Sequence, residues 1–312
     1  MFKYSLNRRQ FVHLASSAAL ASGLPVNLNA QQPMLTRTIP TSGEAIPVIG
    51  LGTSDVFERP SAEGFNELKN VLQTFIDAGG TLIDTAPTYS DAEQVLGRLF
   101  IDMPVQQQLF LATKISLWTV PAASKQAGID QMNTSEQVLG KAPLDLNQVH
   151  NLNDLDIQWQ NLVERKQAGK VRYIGVTIYT YRQFERLEEF LRKASGVDFL
   201  QLNYSLIEPR ADELLITLAA DKGAAVIVNR PFADGAYFSK VSNKPLPEWA
   251  EDFECESWGQ FALKWILGHE AITCAIPATS KSRHMQDNAR AGYGRLPDAA
   301  QRKQMQQFMQ TL

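Results

Sequence analysis

The residues able to do chemistry in this chain stand at the ends of apolar runs. In TLIDTAPTYS, residues 81–90, the run Leu82-Ile83 stops at Asp84, and Tyr89 follows five residues later. LFLATK stops at Lys114, and LNQVH stops at His150. Each residue type is ordinary by itself. An Asp before Thr-Ala-Pro often forms a turn, and a strand-end Lys is often solvated. Together they are a carboxylate, a phenol, an ammonium and an imidazole, which are costly to desolvate unless they pair. Paired, they make a proton donor. A phenol of pKa ~10 is a poor acid near neutrality. A nearby ammonium favours the phenolate and lowers that pKa, and a carboxylate keeps the ammonium charged and in place. The expected roles are Tyr89 as general acid, Lys114 and Asp84 tuning it, and His150 hydrogen-bonding the oxygen that takes the proton. Such a site suits reduction of a carbonyl, with hydride going to carbon and a proton to oxygen.

These side chains meet only if consecutive strands lie side by side. Apolar runs alternate with helical patterns from Val48 to Pro277. The strands are read near Val48–Leu51, then in TLIDT, QLFLATK, LDLNQVHN, VRYIGVT, DFLQLNYS, AAVIVNRP and AITCAIP. Helices separate them, among them SAEGFNELKNVLQTFIDAGG and a short one in TSEQVLG with Thr134 as its cap. Residues 232–256 read as a long loop. Strands joined by helical crossovers run parallel, and eight such units fit a closed (β/α)8 TIM barrel. An open doubly wound sheet needs a Gly-rich phosphate loop after its first strand, and GLGTSDVFERP is not one. Short β-rich runs around TSGE predict an N-terminal β-hairpin, and DAAQRKQMQQFMQTL predicts an extra C-terminal helix. In a barrel of this kind, catalytic groups stand at the C-terminal strand ends, where Asp84, Lys114 and His150 fall.

The chain has 312 residues, 44 % of them hydrophobic, and a net charge of −3. That length suits one barrel domain, and the charge balance points to neither nucleic acid nor an anionic membrane surface. Two cysteines, Cys255 and Cys274, are too few for a disulfide framework, and four histidines are too scattered for a metal site. The first thirty residues differ from the rest. Arg8 and Arg9 precede a small-residue apolar stretch from Val12 to Leu24, which is the layout of a signal peptide. RRQF resembles the twin-arginine type. The expected division is a signal peptide at 1–30 and a barrel at 31–312, with a periplasmic location by twin-arginine export; a cytoplasmic location is the alternative.

GGTLIDTAPTYSDAEQVLG, LFLATK, LDLNQVHN, IGVT and IPATSKSRHMQDN together resemble the aldo-keto reductase superfamily, in the family's order, over about residues 36–311. The resemblance implies a (β/α)8 barrel that binds NADP(H) without a Rossmann motif. It places a catalytic tetrad on Asp84, Tyr89, Lys114 and His150. It puts Thr177 and Gln201 against the nicotinamide carboxamide, with Ile178 standing where the family usually has Asn. Asn229 stands where an aromatic often stacks on the nicotinamide, and Arg230 is expected near the pyrophosphate or the nicotinamide ribose. Thr279, Ser280 and Lys281 are expected at the phosphates, Arg283 or His284 at the 2′-phosphate and adenine, and Asn288 at the adenine edge. Phe57, Trp118 and Phe232 are expected to line the substrate pocket, and the segment between Lys114 and His150 is short for the family, so the third helix is expected to be stunted. The implied activity is that of a monomeric, metal-free carbonyl reductase or alcohol dehydrogenase acting on a small carbonyl compound. The alternative is a redox-sensing NADP(H)-binding subunit with little turnover, serving a partner protein.

Overall fold

The computed structural model describes residues 33–118 and 124–312. The segment read as a signal peptide lies outside the described residues. Strands β1 (Thr36–Thr38) and β2 (Ala45–Pro47) form the expected antiparallel hairpin. Eight parallel strands follow: β3 (Leu51–Gly52), β4 (Leu82–Asp84), β5 (Phe110–Ile115), β6 (Leu144–His150), β7 (Val171–Thr177), β8 (Phe199–Asn203), β9 (Ala225–Asn229) and β10 (Ile272–Ala275). They pair in chain order. The seam between first and last closes through backbone bonds from Gly50 N to Ala275 O (2.9 Å) and from Ala275 N to Val48 O (2.9 Å). The fold is therefore a (β/α)8 barrel, as expected.

Gly50 and Gly52 belong to this seam. A Cβ on Gly50 would stand 2.8 Å from Leu82 O, and one on Gly52 would stand 2.8 Å from Ile276 O. The GLG stretch thus serves close approach between strands and not a phosphate loop.

The strands bury two sets of side chains, because alternate residues face opposite sides. The outward set packs under the helices in one large core that includes Ile83, Leu111, Val149, Val176, Leu200 and Val226. The inward set at the N-terminal half, with Leu82, Leu146, Tyr173, Phe199 and Ile227, forms a second cluster that Ile39 and Ile46 of the hairpin region join. Phe110, Tyr173 and Phe199 stack there with centroids 5.6–5.8 Å apart. The hairpin thus plugs the bottom of the barrel. One residue pair further along each strand the inward positions turn polar.

The helices are α1 (Ala62–Asp77), α2 (Ala92–Asp102), α3 (Lys125–Leu139), α4 (Leu155–Gln167), α5 (Phe184–Lys193), α6 (Leu215–Asp221), α7 (Ala236–Val241), α8 (Trp258–Leu267), α9 (Ser282–Arg290) and α10 (Ala299–Thr311). Two expectations are corrected. The third helix is not stunted: α3 has 15 residues, and its cap is Ser124, whose side chain accepts from Ala127 N. Thr134 lies inside it and bonds Asp130 O at 2.9 Å. Residues 232–256 are not one loop but carry α7 and a 3-10 segment at Glu248–Phe253. Tyr237 and Phe253 are fully buried and hold this region onto the barrel. Among the described residues no helix is long and apolar enough to cross a membrane.

Candidate active site

Asp84 is the last residue of β4 and Lys114 the next to last of β5, and both side chains point into the barrel mouth. Lys114 Nζ donates to both Asp84 oxygens and to Thr85 O, each at 2.8 Å. Both residues are buried. Burial pushes the Asp84 carboxyl up, and the Lys114 ammonium pulls it back. On Lys114, burial lowers the ammonium, but Asp84 and Tyr89 outweigh it and hold it above its ordinary value. One ammonium shared by both carboxylate oxygens is the geometry of an ionised pair. Thr53 fastens the strand end, its hydroxyl donating to Asp84 O at 3.0 Å.

Tyr89 leaves the loop after β4 and folds over this pair, as expected, with Lys114 Nζ 4.7 Å from the ring centroid. The direction of its pKa is a correction. Burial pushes the phenol up and outweighs the lowering by Lys114, so Tyr89 is held protonated. A buried phenolate loses more hydration than one ammonium returns when that ammonium is already shared with Asp84. A phenol kept protonated is the form that can give up a proton.

His150 ends β6 and meets Tyr89 edge to face, with centroids 5.7 Å apart. Burial, and then the Lys114 charge, lower its pKa to about 3. The imidazole is neutral at physiological pH. Its Nδ1 faces two hydroxyls, Thr88 Oγ1 at 3.3 Å and Ser116 Oγ in close contact.

The strand register sets His150 beside Thr177 and Thr177 beside Gln201. Thr177 is buried at the end of β7. Gln201 accepts from Gln148 Nε2 at 2.8 Å and donates toward Asp84 Oδ2 at 3.4 Å. Asn229 donates to Ile178 O at 2.8 Å. Among the described residues, Asn229 Oδ1, Gln148 Oε1 and both polar atoms of Asn203 are buried without a hydrogen-bond partner. Native interiors seldom leave such atoms unpaired. Asn203 ends β8 next to Asn229, on the same inward face as Gln201. These amide groups fit a planar ligand amide at the mouth, such as the carboxamide of a nicotinamide.

Arg230 does not extend freely into the mouth. Its guanidinium donates to Tyr179 O at 2.7 Å and to both Asp234 oxygens at 2.9 and 3.0 Å. Past β10, Thr279 is buried and its hydroxyl accepts from Lys281 N at 3.1 Å. Lys281, Arg283 and His284 are exposed at the start of α9, and Asn288 is buried on its inner face. One contact there was not expected. Glu67 of α1 accepts from Ser282 N at 2.9 Å and from Ser282 Oγ at 3.0 Å. These bonds, and Lys281 nearby, hold the Glu67 carboxyl below its ordinary value. A carboxylate of the chain itself thus takes one of the amides where an anion would bind.

The expected pocket residues separate. Phe57 is fully buried in the core, which corrects its expected place on the pocket wall. Trp118 is 66 % exposed, beside residues 119–123, which lie outside the described residues. Phe232 is half-buried and packs on Phe238 at 4.7 Å.

Sequence reasoning missed Ser116, Thr88, Gln148, Asn203 and Glu93. Glu93 of α2 accepts from Thr113 at 2.6 Å and from Ser135 at 3.0 Å, which holds the outward side of β5 while Lys114 points inward. The alternation of β5 held the signal for Ser116, two residues past Lys114 on the same face. Among the described residues, no group of three or more His, Cys, Asp or Glu side chains converges as metal ligands.

The aldo/keto reductase family profile matches residues 48–308. An aldo-keto reductase of Bombyx mori is 25 % identical over 269 residues, covering 79 % of this chain and 83 % of its own. A methylglyoxal reductase of Escherichia coli is 26 % identical over 263 residues, covering 82 % and 89 %. Among solved structures, an aldo-keto reductase from Klebsiella pneumoniae in complex with NADPH superposes with a TM-score of 0.72 at 23 % identity, covering 88 % of this chain and 96 % of that one.

Proposed function

Because the chain belongs to the aldo/keto reductase family, we propose that it is an NADP(H)-dependent oxidoreductase that reduces an aldehyde or ketone to an alcohol. The observation that carries this reading is the buried Asp84–Lys114 pair beneath Tyr89, with a neutral His150 opposite. The NADPH complex of the Klebsiella pneumoniae relative supports the choice of cofactor. So do the unpaired amide of Asn203, the unpaired Oδ1 of Asn229 and the basic start of α9.

When bound, the reduced nicotinamide supplies a hydride to the carbonyl carbon. Thr177, Gln201, Asn203 and Asn229 hold the carboxamide, and Thr279, Ser280, Lys281, Arg283, His284 and Asn288 take the phosphates and adenine. Tyr89 Oη gives its proton to the carbonyl oxygen as charge develops there. Lys114 stabilises the phenolate left behind, and Asp84 keeps Lys114 charged and in place. His150 donates to the same oxygen and orients it. Trp118 and Phe232 offer apolar surface to the rest of the substrate.

A signal-directed route supports a periplasmic site of action, with the barrel folding around NADP(H) in the cytoplasm before export. The test of the activity is a steady-state assay of the full-length protein with NADPH and a panel of aldehydes and ketones. Saturable NADPH oxidation with at least one carbonyl is expected. NADPH binding without turnover across the panel would move the reading to a redox-sensing subunit.

A further inference from the structure

His150 is held from behind by a small polar assembly outside the Asp84, Tyr89, Lys114 and His150 tetrad. Ser116 follows β5 directly and is 1 % exposed. Its peptide group is gripped at both ends by one side chain of α3. Ser116 N donates to Gln131 Oε1 at 2.7 Å, and Gln131 Nε2 donates to Ser116 O at 3.0 Å. Such a two-point clamp leaves the serine backbone little freedom. Thr88, one residue before Tyr89, donates its hydroxyl hydrogen to Ser116 Oγ at 3.3 Å. Ser116 Oγ in turn lies against His150 Nδ1.

The hydrogens can be counted along this path. Each hydroxyl has one. Thr88 Oγ1 is 3.3 Å from both Ser116 Oγ and His150 Nδ1. With its hydrogen given to Ser116, the hydrogen of Ser116 is directed at Nδ1; given to Nδ1 instead, it likewise makes Nδ1 the acceptor. A neutral imidazole carries one N–H, and the nitrogen that accepts is the one without it. We propose that Ser116, clamped by Gln131 and oriented by Thr88, is a positioning residue that fixes His150 as the Nε2–H tautomer. The Nε2 hydrogen then faces the barrel mouth beside Tyr89, so the site presents two donors to one carbonyl oxygen. Without Ser116, Nδ1 keeps only the more distant Thr88 Oγ1 at 3.3 Å, and the imidazole gains freedom to place its hydrogen on Nδ1. Nε2 would then turn a lone pair toward the carbonyl oxygen and repel it.

The catalytic consequence rests on the reductase reading above, whereas the tautomer does not, and the test separates them. Two-bond 1H–15N spectra of the 15N-histidine-labelled full chain report which ring nitrogen carries hydrogen. The His150 signals are identified by their loss in His150→Gln. In the wild type the expected pattern is a bare Nδ1 and a protonated Nε2. Ser116→Ala should shift the signals toward the Nδ1–H form and lower kcat about 10- to 100-fold, since a buried acceptor has lost its donor. NADPH affinity should hold, and Ser116→Thr, which restores a hydroxyl, should return both readouts toward wild type. Thr88→Val supplies a second perturbation from the other end of the path, with a smaller shift of the same sign. An Nδ1–H imidazole in the wild type overturns the proposal, as does a His150 spectrum unchanged in both Ser116→Ala and Thr88→Val. The expected tautomer in a protein that reduces no carbonyl would uphold the positioning role and count against the reductase reading alone.

Discussion

Lys114 and Asp84 are stable in the barrel interior only as a pair. Two charges taken from water cost several kcal/mol each, and removing one partner from such a pair typically costs about 3–5 kcal/mol. The chain bears that cost beneath Tyr89, where on the proposed mechanism a fixed positive charge would stabilise the phenolate left by proton transfer. His150 shows the opposite solution, since burial beside Lys114 keeps it uncharged. This has a measurable consequence. The folded-state pKa of about 3 lies below the ordinary histidine value of 6.5. The unfolded chain therefore binds a proton between those values that the folded chain refuses. Stability from this group is fully present above the unfolded value and is lost as pH falls toward the folded one. Wild type should lose about 2 kcal/mol more than His150→Gln on going from about pH 7 to about pH 5. Urea unfolding of both proteins at each pH checks it, and equal losses would refute a neutral buried His150. The four ionisable residues were legible because each interrupts or follows an apolar run. Ser116, Thr88 and Gln131 were not, since small polar residues near strand ends are common and their partners lie in other parts of the chain.

The parallel strands were legible for a related reason: each is buried on both sides, so each reads as a nearly continuous apolar run. Helix α3 was misread. Its buried face is Gly128, Met132, Ser135 and Leu139, too poor in large apolar residues to mark a helical period. A Cβ on Gly128 would stand 2.1 Å from Gln158 Oε1 of α4, so a larger residue there makes that buried side chain shift. The start of α9 shows a second limit. The basic residues of SKSRH were visible in the sequence, but Glu67 reaches Ser282 from a residue 215 positions earlier. A carboxylate there repels a 2′-phosphate, whereas Lys281 and Arg283 attract it. Glu67→Gln should therefore strengthen NADPH binding several-fold more than NADH binding. Lys281→Ala combined with Arg283→Ala should weaken NADPH more than NADH. Fluorescence titrations of wild type and both variants with each cofactor decide it, and equal changes for the two cofactors would place the 2′-phosphate elsewhere.

The barrel closes its bottom with the hairpin and gathers Asp84, Lys114, His150 and Gln201 at the opposite mouth. A cofactor that binds the folded barrel alone stabilises it, by about 2.7 kcal/mol at roughly 100 times its Kd. Export of a folded chain preserves that gain, whereas threading an unfolded chain through a membrane channel strips the cofactor. If the proposed export holds, replacing Arg8 and Arg9 by Lys should leave NADP(H)-loaded protein in the cytoplasm, whereas the native chain should carry nucleotide to the periplasm. Cell fractionation followed by nucleotide analysis reads both. Native periplasmic protein uniformly free of nucleotide would contradict loading before export.

Everything argued for the mouth converges on Tyr89 Oη as the source of the proton. Tyr89→Phe removes that proton and leaves the Asp84–Lys114 pair and the strand ends in place. Single-turnover NADPH oxidation with a saturating aldehyde, measured alongside NADPH affinity on the same samples, tests it directly. The expected result is a rate lower by ~10²–10⁴ with nearly unchanged affinity. Wild-type turnover in Tyr89→Phe would contradict the assignment.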